Sequence, residues 1–129
     1  MMTRVAITGM SLLTGTGLDV DSAFRGLLSG KSPIRRFTLF DPTGLPCPFG
    51  VELPPEAQSI IEAHVSPRRR SQMTRGTALA IVAARAAMTQ AGLVDADVDR
   101  RRMAAVLGAT GTGYAPLQDR KSTRLNSSH

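Results

Sequence analysis

Tryptophan is missing from this 129-residue chain, and Phe and Tyr together supply only 4% of it. A core must therefore be assembled from Ala, Val, Leu and Met, within a hydrophobic content of 42% that suits a globular protein. Cysteine occurs once, at Cys47, which excludes an internal disulfide framework and fits a reducing compartment. His64 has no Cys or His at ligand spacing, so the residues offer no metal site. The amino-terminal MMTRVAITG lacks the long apolar run of a signal peptide, and a cytoplasmic location is expected. Arg75 and Arg85 interrupt the most apolar stretch, which excludes a membrane span there. The net charge is +6, but the basic residues are dispersed and no aromatics are interleaved with them. The triplets Arg68–Arg70 and Arg100–Arg102 read as solvated ends of elements, and no nucleic-acid partner is expected.

The longest segment free of breakers is Gln72–Gly92, dominated by the strong helix formers Ala, Leu, Met, Arg and Gln. At helical spacing Gly76, Ala80, Ala83, Ala84, Ala87 and Ala91 share one face, so another backbone can approach it closely. Leu79, Ile81, Val82 and Met88 cover most of the rest, leaving a polar strip at Thr74, Arg85 and Thr89. Such a helix is expected to be buried on nearly all sides, with Gly92 closing it.

Arg4–Gly9 and Met103–Gly108 read as short buried β-strands, apolar and closed by glycine. Asp19 or Asp21 can cap a helix over Ser22–Leu28, stopped at Gly30. Six prolines between Lys31 and Pro55 exclude a long helix there and leave a surface loop, with an edge strand near Gly50–Leu53. Ala57–Val65 predicts a short helix, and ATGTGY at 109–114 a Gly/Thr loop. Buried strand, helix, loop, helix and second buried strand form an α/β layout with a parallel pairing.

Three glycines at Gly9, Gly15 and Gly17 stand where a nucleotide-binding loop would lie. Gly15 and Gly17 make the first spacing of the dinucleotide fingerprint, but Val20 holds the third glycine position. The short-chain dehydrogenase variant starts at Thr8-Gly9 and then meets Leu13 where glycine is required. A nucleotide-binding reductase is thereby disfavoured. Cys47 lies between Pro46 and Pro48, with neither a helix start nor a basic neighbour to stabilise a thiolate, and reads as a packing residue.

Four pieces in order resemble the amino-terminal part of the β-ketoacyl synthases, the condensing enzymes of fatty-acid and polyketide synthesis. Arg4–Gly17 is similar to that family's opening strand and loop, and Ala23–Cys47 to its first helix and the loop ending in Phe-Asp. Ser71–Leu93 resembles its long helix, and Arg102–Tyr114 the next strand and glycine turn. The resemblance implies a partial thiolase-like fold, the incomplete start of the first α-β-α-β-α half. It also implies an acyltransferase acting on acyl and malonyl thioesters of an acyl carrier protein, a homo- or heterodimer when complete, and no cofactor. The family's nucleophilic cysteine and its histidines lie downstream of the glycine turn, so no residue here takes a catalytic, cofactor-binding or metal role. Cys47 matches no catalytic position, and the fragment is expected to be inactive. A chain-length-factor partner, similar to a synthase but lacking the cysteine, is the alternative.

The domain expected from this resemblance covers residues 1–118. Asp119–His129, DRKSTRLNSSH, breaks the composition, and back-translated with ordinary codons it reads as a sequencing adapter. Without it 13 basic and 9 acidic residues remain, a charge of +4.

Overall fold

The computed structural model describes residues 4–96 and 98–108. The Gly/Thr loop at 109–114 and the segment Asp119–His129 lie outside the described residues. Helix α1 spans Val20–Leu28, strands β1 and β2 are Arg35–Arg36 and Phe49–Gly50, and α2 spans Glu56–His64. A single turn, α3, follows at Pro67–Arg70, then the long helix α4 at Arg75–Gln90 and a 3-10 turn at Arg100–Arg102.

The ends of the helices form where local chemistry places them. Asp19 caps α1: its carboxylate accepts from the Ser22 amide at 2.8 Å, and the Ser22 hydroxyl accepts from the Asp19 amide at 3.2 Å. This reciprocal pair satisfies two amides that the first turn leaves without helical partners. Thr74 caps α4 through the amide of Thr77 at 3.2 Å. Gly30 and Gly92 follow α1 and α4 with φ of 66° and 69°, the left-handed region that favours glycine.

The core sits between α2 and α4. Ala57 and Ile61 of α2, with Val65 just past its end, recur every four residues and form one buried stripe. Ile61 and Val65 meet Ala78 and Val82 of α4, and Leu13, Ile60, Met73, Leu79 and Ile81 pack around them. Arg70 of α3 reaches back to Glu62 of α2 at 2.8 Å, which pins the intervening turn. The α3 turn itself was not expected; Pro67 at its first position starts it, since that residue needs no amide partner there.

Three expectations are corrected. Neither Arg4–Gly9 nor Met103–Gly108 forms a strand, and Val5 and Val106 are 91% and 97% exposed. Among the described residues the sheet is β1 with β2, antiparallel, pairing Arg35 with Gly50 and Arg36 with Phe49, so no parallel pairing is formed. The physical reason is that β-branched, apolar composition makes a segment suited to a ladder but cannot provide the neighbouring strands the ladder needs. Helix α4 is buried on one side only. Ala78 and Val82 face α2, whereas Ala84, Arg85 and Ala86 are exposed, because no second layer covers them.

The close approach expected on the small-residue face does occur. Gly9 lies against the carbonyl oxygen of Ala87 and, within about 3.0 Å of where a side chain would begin, the methyl of Ala91. Any side chain at position 9 would displace this contact. Of the edge strand expected near Gly50–Leu53 only Gly50 is in a strand: β2 is Phe49–Gly50, and residues 51–53 lie outside it.

Candidate functional site

Phosphate chemistry, if the chain had it, would be found at the glycine loop of residues 9–17. Thr14 and Gly17 close a tight turn, with amide-to-carbonyl distances of 2.8 and 3.3 Å in the two directions. Gly17 is buried against the first turn of α1, where a side chain would strike the backbone nitrogen of Ala23. The same turn touches Val51 on its other side through Gly15. These glycines serve contacts within the chain, Gly15 against Val51 and Gly17 against the first turn of α1.

A cleft of about 370 Å³ opens between residues 10–11, the start of α1 and the later part of α4. Its carboxylates are Asp19 and Asp21. Asp19 is committed to its cap, and the Ser22 amide bond, followed by the Ser22 hydroxyl, holds its carboxyl below the usual aspartate range. The Met10 amide donates to Gln90 across the cleft, joining the amino-terminal segment to α4.

Cys47 is free and exposed, which corrects its reading as a packing residue. Prolines on both sides hold it on the outside of the loop, and its Sγ donates to the carbonyl of Phe49 at 3.5 Å. His64 is exposed at the end of α2 and bonds the Ile60 carbonyl through Nδ1 at 2.9 Å. No hydrogen bond among the described residues joins Cys47 to a histidine, so the nucleophile–base pair of thiol catalysis is not assembled from them. Among the described residues no cluster of three His, Cys, Asp or Glu could hold a metal ion. No described helix is long and apolar enough to cross a membrane. The Arg68–Arg70 triplet lies on α3, outside the core, with Arg68 and Arg69 exposed.

One arrangement escaped sequence reasoning. Glu52, just after β2, is the buried charged side chain of the described residues, at 5% exposure. Its Oε1 accepts from the consecutive amides of Thr38 and Leu39, both at 2.9 Å, and its Oε2 from the Thr38 hydroxyl at 2.7 Å. The Arg35 guanidinium stands 3.6 Å from Oε2. The Leu39 amide, then the two Thr38 donors and Arg35, pull the carboxyl down to about 2. Because the folded value lies below the unfolded one, the stabilisation is complete above about pH 4.5 and is lost as pH falls towards about 2. A lone glutamate in a proline-rich loop carries no periodic signal that would have revealed this.

The comparisons with known proteins bear on the whole chain. The family profile described as the β-ketoacyl synthase N-terminal domain matches residues 2–128. The chain belongs to the β-ketoacyl synthase family. Nodulation protein E of Rhizobium sp. (strain N33) is 31% identical over 115 residues, covering 89% of this chain and 28% of that protein. The Rhizobium leguminosarum bv. trifolii protein of the same name is 32% identical over 117 residues, covering 90% of this chain and 28% of that protein. The 3-oxoacyl-[acyl-carrier-protein] synthase 2 of Staphylococcus aureus (strain COL) is 37% identical over 91 residues, covering 70% and 21% respectively. The chain therefore spans between a fifth and a third of the length of these relatives. No solved structure matches it.

Proposed function

We propose that this sequence is the amino-terminal part of a 3-oxoacyl-[acyl-carrier-protein] synthase, an acyltransferase of fatty-acid or polyketide synthesis. The observation that carries the reading is the family match over residues 2–128, joined to the name of the Staphylococcus relative. In the reaction proposed, a cysteine thiolate takes the acyl group from its carrier-protein thioester, releasing the carrier thiol. The malonyl thioester then loses carbon dioxide, and the resulting enolate carbon attacks the acyl carbonyl and expels the cysteine. Neutral donors aimed at the enolate oxygen lower that barrier, because charge develops there only in the transition state. The donors and the nucleophile are proposed to lie outside these 129 residues, in a layered thiolase-like domain to which α1, α2 and α4 contribute. Acyl carrier protein, a second synthase subunit and a cytoplasmic setting belong to the same proposal.

The test is a condensation assay with acyl- and malonyl-carrier protein, read by mass spectrometry of the carrier-bound product. The 129-residue chain is expected to form none, and Cys47→Ala in the intact gene product to leave turnover nearly unchanged. A loss of about a hundredfold or more in that variant, with its fold intact, would make Cys47 the nucleophile and overturn the assignment. Turnover by the 129-residue chain would overturn the proposed inactivity.

A further inference from the structure

The donors around Glu52 converge more closely than a loop hydrogen bond requires. Two consecutive amides meet one oxygen at 2.9 Å each, a hydroxyl takes the other at 2.7 Å, and a guanidinium stands beside it at 3.6 Å. This is the donor set of an anion site, with every group offering hydrogen and none accepting. The acceptor comes from the chain itself, thirteen or fourteen residues on, and is buried at 5% exposure. The loop it closes contains three of the chain's eight prolines, at Pro42, Pro46 and Pro48, and proline cannot donate to a ladder. The β1–β2 pair that flanks the loop is only two residues long on each side. The loop therefore has few ladder bonds of its own to hold it shut.

We infer that residues 35–39 form a carboxylate-binding cradle whose resident ligand is the Glu52 side chain, and that this intramolecular ligand is the latch of the proline-rich loop. Phe37 and Phe40, on either side of Thr38 and Leu39 in the chain, place their rings 4.8 Å apart. Arg35 is the charged group facing the carboxylate. It supplies attraction while half exposed, so the three uncharged donors carry most of the recognition. A free monocarboxylate such as formate presents the same two oxygens and is the ligand class the emptied cradle would take.

Hydrogen–deuterium exchange of the peptide covering residues 37–52, in the full-length gene product, reads this locally. Glu52→Ala is expected to speed exchange at Thr38 and Leu39 about ten- to a hundredfold, the range for hydrogen bonds to a charged acceptor. Formate is expected to restore protection in proportion to its concentration, while chloride at equal ionic strength does not. Glu52→Gln is expected to keep only partial protection at Thr38 and Leu39 and to show no formate rescue, since its uncharged amide oxygen still accepts from the two amides while its NH2 fills the place of the second oxygen and faces Arg35. Absence of formate rescue in Glu52→Ala, or full protection in Glu52→Gln, would overturn the cradle and leave Glu52 a packing residue. Should Glu52→Ala fail to fold, Thr38→Val removes one donor alone. It is then expected to raise the pH at which the wild-type loop loses protection, and an unchanged midpoint would overturn the inference equally.

Discussion

Expressed by itself, the 129-residue chain is expected to be insoluble, or to give a soluble product with poorly dispersed amide signals and no cooperative melt. The core contains only Ala23, Ala57, Ile61, Val65, Ala78 and Val82 among the described residues, and three of these six are alanines. Burial of a large aliphatic side chain contributes about 1.5–3 kcal/mol, so three such residues cannot offset the ordering of this many residues. Against that small core stand large apolar side chains in water. Ile7 is 82% exposed, Val5 and Val106 more so, and Phe24, Leu27 and Leu28 line an uncovered face of α1. Chains presenting such surfaces associate. In the longer protein proposed above, further layers would cover these faces. A monomer with dispersed signals and a single sharp transition would show that the chain is a self-sufficient domain, and the proposal of a missing second layer would be withdrawn.

Ile61→Ala is expected to lower the stability of the full-length protein by about 2–5 kcal/mol, the range for deleting three buried carbons from a packed site. Ile61 is 2% exposed and faces Val65, Ala78 and Val82, so the helix pair meets through it. The Ala78 methyl opposite cannot spread to fill the void, which places the cost toward the upper part of that range. Arg85→Ala on the outer face of α4 is the contrast. Its guanidinium donates to the His64 carbonyl at 3.3 Å from an exposed position, so its loss is expected to cost under about 1 kcal/mol. Denaturant midpoints at constant slope compare the two directly. Equal midpoints would mean that the α2–α4 contact is not the core of the folded protein.

Local structure was legible wherever it depends on residues a few positions apart. The Asp19 cap, the glycines closing α1 and α4 and the short helix expected over Ala57–Val65 all depend on residues within one or two turns, whereas Thr74, expected on the polar strip of the long helix, is its cap. A helix turn is closed by its own residues, so the stretch Gln72–Gly92 marks α4, which starts three residues inside it, at Arg75, and ends at Gln90. The ordered pieces from Arg4 to Tyr114 likewise determined the family, which the match over residues 2–128 shows. Which faces are buried was decided only in three dimensions. Apolar character at Arg4–Gly9 and Met103–Gly108 could not reveal that neither would find a partner strand, because ladder bonds come from residues distant in the chain. The Glu52 cradle is of the same kind. Its carboxylate reaches its donors only once β1 and β2 pair, and that pairing, rather than any motif around Glu52, turns a lone acid into the buried centre of the loop.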